Sequence, residues 1–307
     1  MTARIVVLGI YATDFSFSAK RLPLMGETIL GEGFGTSPGG KGANQVVAAR
    51  RAGADAFFIT RIGQDNFGAQ AAAFWQSEGI DTRHVLRSPD AASGAAFIFV
   101  DAQTGQNAII VSPGACLQMS AHDVASAADT IGAGDVFLTQ LEAPLAAVEA
   151  GLKAARAAGV CTIFNPAPAL AFPPALYACT DYLTPNEGEA SALSGIEVHD
   201  QSSAAAAAAI LLERGAGNVI ITLGSQGAYF RNAQRQAWIP AFKVSHVQDT
   251  TGAGDAFNGA FACAIAEGLD PVDAVRFGCA CGALSITKAG AARSMPTRAE
   301  IEQLLAQ

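Results

Sequence analysis

Charge is scarce in this chain: only 15% of its 307 residues are Asp, Glu, Lys or Arg, and acidic side chains outnumber basic ones 27 to 19. The net charge of −8 leaves no basic face for nucleic acid or an anionic membrane, so an anionic ligand has to be met by a local site. The six cysteines are Cys116, Cys161, Cys179, Cys263, Cys279 and Cys281. They contain no Cys-x-x-Cys pair and mostly sit in apolar runs, which points to reduced, buried thiols rather than disulfides or metal ligands. No apolar run reaches transmembrane length. The opening Ile5-Val-Val-Leu-Gly9 is too short for the apolar core of a signal peptide, so a cytoplasmic protein is expected. Two nucleotide motifs are also missing. Gly31-Glu-Gly33-Phe-Gly35 lacks the last glycine and the helix of a dinucleotide fingerprint, and there is no Gly-Lys-Ser/Thr phosphate loop.

What the chain does have is apolar bulk, at 50% of residues, as when helices cover both faces of a parallel sheet. Strands are expected at 5–9, 56–60, 160–165, 182–184 and 219–222. Helices are expected at 45–52, 68–78, 145–158, 202–214 (capped by Ser202), 271–287 and 297–305, with a further hairpin from 228–231 and 236–239. This alternation argues a three-layer α/β/α, doubly wound and mostly parallel sheet, with ligands at the carboxyl ends of its strands. Residues 11–38, where aromatics alternate with polar residues and glycines punctuate, read as an antiparallel excursion. Residues 95–100 and 108–111 flank Asp101-Ala-Gln-Thr-Gly105 as a second hairpin. The two together are expected to form one small β lid on a single domain spanning 1–307, the lid drawn from about 11–38 and 93–113.

The chemistry is concentrated in Asp249-Thr-Thr-Gly-Ala-Gly-Asp255-Ala-Phe-Asn-Gly259. Residues 242–247 read as a strand, Gly252, Ala253 and Gly254 as a turn, and 255–266 as a helix. Unpaired N–H groups at the helix start, with the positive end of its dipole, make an anion site suited to nucleotide phosphates. Asp255 stands where that anion would lie, which is unfavourable unless the carboxylate accepts the proton of an attacking hydroxyl. A near copy, Asp129-Thr-Ile-Gly-Ala-Gly-Asp135, runs on into the β-rich Val136-Phe-Leu-Thr. That run reads as a strand, so the copy lacks a helix N-terminus and is taken as a decoy.

A second glycine-rich string, Gly39-Gly-Lys-Gly-Ala-Asn-Gln45, opens a helix near the other end of the chain. With Leu141-Glu-Ala-Pro144, Asn165-Pro-Ala-Pro-Ala169, Thr184-Pro-Asn-Glu-Gly-Glu-Ala190 and Ile221-Thr-Leu-Gly-Ser-Gln-Gly227 in order between the two, the chain resembles the PfkB carbohydrate kinase family, closest to its ribokinase branch. The resemblance implies a phosphotransferase that moves the γ-phosphoryl group of ATP to a sugar's primary hydroxyl, with D-ribose the leading substrate. It implies Asp255 as the base and the backbone of Gly252, Ala253 and Gly254 as the anion hole. Asp14, Gly40, Lys41, Gly42, Asn44 and Glu142, together with Asp255, would hold the sugar. Asn186, Thr222, Leu223, Gly224, Ser225 and Gly227, with Gly254, would hold ATP. Asn186 and Glu189 would organise Mg2+ through water. Asp249, Thr251, Ser285, Lys288, Gly290 and Ser294 would surround a monovalent cation such as K+.

One departure bears on the substrate. The family's first strand usually ends Gly-Ser-x-Asn-x-Asp, and here it reads Gly9-Ile-Tyr-Ala-Thr-Asp14, with Ala12 in place of the Asn. A lost sugar hydrogen bond, worth on the order of 0.5–1.5 kcal/mol, shifts substrate preference without abolishing catalysis. A nucleoside kinase is the alternative, with Tyr11, Phe15 and Phe17 as a slot for a base. A non-catalytic sugar-binding regulator is a third reading, opposed by the intact base and glycines. The lid also carries Phe15, Phe17, Phe34, Phe97 and Phe99 with little helix to bury them, which implies a homodimer formed through the lid.

Overall fold

The computed structural model describes residues 2–103 and 106–307. The chain runs β1 (Arg4–Leu8), β2 (Ala12–Ala19), β3 (Gly33–Gly39), α1 (Lys41–Arg51), β4 (Asp55–Gly63), α2 (Asn66–Ser77), β5 (Asp81–Ser88), β6 (Gly94–Asp101) and β7 (Asn107–Ser112). It continues through α3 (Ala121–Ser126), α4 (Ala128–Gly132), β8 (Val136–Thr139), α5 (Leu145–Ala157), β9 (Cys161–Phe164), β10 (Tyr182–Leu183), α6 (Glu187–Ser194), α7 (Gln201–Glu213) and β11 (Asn218–Thr222). The hairpin β12 (Gly227–Asn232) and β13 (Gln236–Pro240) precedes α8 (Ala253–Ala266), α9 (Pro271–Ser285) and α10 (Arg298–Leu305).

Nine strands form one sheet in the order β13-β12-β11-β10-β9-β8-β1-β4-β5. It is parallel from β5 to β11 and antiparallel over the last two pairs. Strand alternation divides its side chains between two cores. Ile5 and Val7 face α1, α2, α8, α9 and α10, while Val6 and Leu8 face α3, α4, α5, α6 and α7. The expected α/β/α sandwich is therefore present. Because the chain leaves β1 towards β4 on one side and later returns at β8 on the other, the crevice beyond the carboxyl ends of β1 and β8 is where such a sheet receives ligands.

The lid is a separate four-stranded sheet, β3-β2-β6-β7, with β2 antiparallel to β3 and parallel to β6. Within β2, Ala12, Asp14 and Ser16 share one face and Thr13, Phe15 and Phe17 the other. In the hairpin turn expected at Asp101-Ala-Gln-Thr-Gly105, Thr104 and Gly105 lie outside the described residues.

Two expectations are corrected, and one strand was not foreseen. Residues 242–247 form no strand. β13 ends at Pro240 on the sheet edge, and the segment beyond it is held by α9 instead: the Arg276 guanidinium lies over Phe242, and the Gln248 and Asp249 N–H groups donate to the Ile286 carbonyl. The cap of α7 is Asp200, not Ser202. Its carboxylate accepts from the Ser203 N–H at 2.8 Å, closing a capping box. The edge strand β5, Asp81-Thr-Arg-His-Val-Leu-Arg-Ser88, had no clear alternation to reveal it.

Candidate active site

The site forms where two helix starts meet. Gly40, with φ of 90°, caps α1 in a conformation that a side chain would strain, and a Cβ there would fall 2.8 Å from the Ile10 carbonyl oxygen. The Ala43 N–H donates to that same carbonyl, which docks the start of α1 on the turn after β1. Helix α8 crosses α1 at Gly259, where an added Cβ would lie 2.5 Å from Ala48 Cβ. This small-residue crossing brings the α1 amides to the first turn of α8. The Asn44 Nδ2 donates to Asp255 Oδ2 at 2.8 Å and the Gln45 Nε2 to Asp255 Oδ1 at 3.0 Å. Asp255 is only 5% exposed, and both its oxygens are held by neutral donors. Asn44 Oδ1 is buried without a partner among the described residues, an acceptor left for a hydroxyl donor.

The surrounding charges are mostly negative. Asp14 is 8% exposed, and no donor among the described residues is hydrogen-bonded to its carboxylate. Burial first, and then the charges of Glu142, Asp255 and Asp249, push it up to about 7. Glu142 accepts from the Lys41 N–H at 2.8 Å and is raised chiefly by burial, with Lys41 pulling it back down. Burial likewise raises Glu189. Lys41 is held above its ordinary value chiefly by Asp255, then by Glu142 and Glu189, so this one cation balances several carboxylates.

On the nucleotide side, Gly252 caps α8 with φ of 78°, and a Cβ on Gly254 would meet nothing within 4 Å. In this first turn the Ala253 N–H donates to the Thr250 carbonyl at 3.3 Å, while no acceptor among the described residues takes the Gly252 or Gly254 N–H. Asn186 caps α6 and shares a capping box with Glu189, at 2.9 Å in both directions. The box leaves Glu189 Oε1 and the Asn186 amide nitrogen free for other partners. Asn186 also bridges to Thr222 at the end of β11. Beyond it, Leu223 is buried in the core and offers only backbone, Ser225 is exposed, and Gly224 and Gly227 take positive φ in the turn to β12.

Asp249 ties two loops together, accepting from the Thr251 N–H and the Gly290 N–H, both at 2.9 Å. The Ser285 and Ser294 hydroxyls donate to the Gly282 and Ala291 carbonyls, and Lys288 pairs with Glu300. These three side chains are thus occupied elsewhere, which leaves backbone oxygens as the groups available to a monovalent cation. No cluster of three or more His, Cys, Asp or Glu among the described residues is placed to hold a metal, so Mg2+ would rest mainly on phosphate and water ligands.

The structure thus gathers Asp14, Lys41, Asn44, Glu142, Glu189, Asp249 and Asp255 around one crevice. Asp135 lies elsewhere, at the amino end of β8, where its carboxylate accepts from the Arg4 N–H at 2.8 Å. Gln45 was overlooked as a site residue, although it belongs to the Gly39 to Gln45 string. Ile98 was also overlooked; it shares the Asp14 face of the lid sheet and packs with Ala12 and Ala96.

A model of the pfkB family of carbohydrate kinases matches residues 2–298, and the chain belongs to that family. It is therefore a phosphotransferase acting on a sugar hydroxyl. Its sequence is 40% identical to the ribokinase of Haemophilus influenzae, over 99% of each chain. It is 34% identical to a deoxyribokinase of Salmonella typhi, over 98% of each. Its structure is similar to that of Arabidopsis thaliana ribokinase complexed with ribose and ATP, at a TM-score of 0.92 and 30% identity over the whole of both chains.

Proposed function

We propose that this chain is a cytoplasmic ribokinase that transfers the γ-phosphoryl group of ATP to the primary hydroxyl of D-ribose, giving D-ribose 5-phosphate. The observation that carries the reading is the Asp255 carboxylate, buried at the first turn of α8 and gripped by Asn44 and Gln45 from the helix that opens with the sugar signature. Asp255 orients the hydroxyl and takes its proton. A carboxylate is a weak base, but phosphoryl transfer has a loose transition state, so the proton leaves late and positioning matters as much as basicity. The N–H groups of Gly252, Ala253 and Gly254 face the transferring group and take up its charge.

Asp14, Lys41, Asn44 and Glu142 hold the sugar, Asn44 through its free Oδ1, with the backbone of Gly40 and Gly42 shaping the turn. Asn186 and the 222–227 turn flank the ATP. Asn186 and Glu189 would organise Mg2+ through water, and the ion would supply counter-charge to the phosphates. K+ would sit among the backbone oxygens of residues 249–251 and 285–294, close to the Asp249 carboxylate. Among the described residues no helix is long and apolar enough to cross a membrane.

The nucleoside alternative loses its aromatic slot. Tyr11 is buried edge-on against Trp75, and Phe15 and Phe17 lie on the lid face opposite Asp14. That outer face is apolar: Phe34 and Ile110 are 65% and 70% exposed, and Phe17 packs against Phe34 and Phe97. We assign it to a second copy of the chain in an isologous dimer.

A substrate panel of D-ribose, 2-deoxy-D-ribose, other sugars and adenosine tests the specificity, with ribose expected to give the highest kcat/KM. Asp255→Asn tests the base. It is expected to lower turnover by roughly 10²–10⁴-fold with ATP binding near normal, and turnover within a few-fold of wild type would sink the assignment.

A further inference from the structure

Beneath Asp255 lies a run of buried amides with no part in the reaction as described. Gln45 donates its Nε2 both to Asp255 Oδ1 and, at 3.2 Å, to Asn165 Oδ1. Its Oε1 accepts from the Gln140 Nε2. Both Asp255 oxygens accept, so the Gln45 amide nitrogen faces Asp255 while its Oε1 faces the Gln140 amide nitrogen, each amide holding the other's orientation. Gln140 Oε1 is buried without a partner among the described residues, where the amide bonds only Gln45. From Asn165 the chain continues through the Thr184 carbonyl, at 2.8 Å, and the Thr184 hydroxyl, which donates to Asn258 Oδ1 at 2.6 Å. The Asn258 Nδ2 then donates to the Gly254 carbonyl at 2.8 Å, one residue before Asp255. The circuit closes on the anion-hole turn, and every side chain in it is buried.

We propose that Gln45, oriented by Gln140, is a positioning residue that locks the Asp255 carboxylate in its reactive orientation and couples the sugar-binding start of α1 to the anion hole. This rests on the reading of Asp255 as the base. A lone Asn44 donor would hold one carboxylate oxygen and leave the group free to swing. The second donor, Gln45, itself anchored on Gln140 and Asn165, removes that freedom. Gln45 is fully buried behind the carboxylate, so its effect should fall on turnover and not on substrate affinity.

The test is a double-mutant cycle in the full-length protein with ribose, ATP and Mg2+. Gln45→Met is expected to lower kcat by about 10–100-fold while both KM values stay within about threefold. On the Asp255→Asn background the same change should alter kcat by less than about threefold, because nothing remains to be positioned. Gln140→Met, which touches Gln45 and not Asp255, should cost about 3–10-fold in kcat, again only when Asp255 is present. It carries the cycle if Gln45→Met does not fold. Equal losses on both backgrounds, or a change confined to KM, would overturn the proposal. Near wild-type turnover by Asp255→Asn alone would instead refute the base assignment on which it stands.

Discussion

Replacing Asp14 by Asn should make the protein more stable and a worse enzyme, with the gain growing as pH rises from about 4 to 7 and constant above that. Asp14 carries its charge against the Gly39 backbone, where an added Cβ would lie 2.1 Å from Oδ2, with Glu142, Asp255 and Asp249 as its charged neighbours. Its ordinary value of 3.8 is pushed up to about 7, by burial first and by those carboxylates second. The folded protein therefore keeps a proton on Asp14 between these values that the unfolded chain has already released. Stability falls as pH rises through that window and is flat above it. At about 1.4 kcal/mol per pH unit, the ionised side chain costs up to about 4 kcal/mol at pH 8. Relaxation and water entry bring this down to a few kcal/mol. Asn keeps the shape without the charge, so Tm should rise by about 5 °C at pH 8 and by roughly a third of that at pH 5, where the unfolded chain has released its proton but only the lower part of the window from 3.8 to about 7 has been crossed. Thermal unfolding at both pH values, without sugar, nucleotide or potassium, reads this directly. In the same variant the ribose KM should rise about 10–100-fold, as for a lost hydrogen bond to a charged group. A Tm change of the same size and sign at both pH values would refute the electrostatic argument.

Ala12→Asn should lower the ribose KM by a factor of a few, matching one restored hydrogen bond; an unchanged or raised KM, with activity lost on another sugar of the panel, would show that ribose is not the natural substrate. Phe97→Asp, on the outer lid face, should convert the proposed dimer to a monomer in sedimentation at micromolar concentration with the core still folded, and a wild-type monomer would remove the lid interface altogether. Exchanging potassium for a large organic cation should lower kcat severalfold, and Asp249→Asn should weaken that dependence; turnover indifferent to the exchange would remove the cation site.

The core elements were legible because their periodicities are strong. The buried run Ile5-Val-Val-Leu and the small-residue helix after Asp255 each have a pattern that only one layer of the sandwich satisfies. What escaped depends on distance in sequence. Residues 242–247 have the composition of a strand, yet Arg276 and the Ile286 carbonyl hold the segment and the residues after it against α9 instead of the sheet edge. Asp200 outcompetes Ser202 because an ionised oxygen is the stronger acceptor at a helix start. The grip of Gln45 on Asp255 spans 210 positions and exists only because Gly259 lets α8 approach α1.

The two copies of the glycine-rich string show where local sequence stops deciding. Asp129 to Asp135 and Asp249 to Asp255 share six of seven residues. The first runs out of the short helix α4 into β8, so its glycines sit where a helix exposes carbonyl oxygens, the negative end of the dipole. The second enters α8, where a helix exposes N–H groups. The same Gly-Ala-Gly-Asp therefore meets opposite electrostatic fields, and only the second favours a phosphate. The residues immediately C-terminal to each copy set the difference. Val136-Phe-Leu-Thr is β-branched and aromatic enough to pair between β1 and β9, whereas Ala256-Phe-Asn-Gly-Ala is small enough to pack as a helix on α1. Asp135→Asn should thus keep the Arg4 N–H contact, since the Asn side-chain oxygen can still accept that bond, and leave ribose phosphorylation within about twofold of wild type. A loss of turnover comparable to that of Asp255→Asn, in a protein with an unchanged melting temperature, would show that the string acts through its sequence and not through the helix end on which it lies.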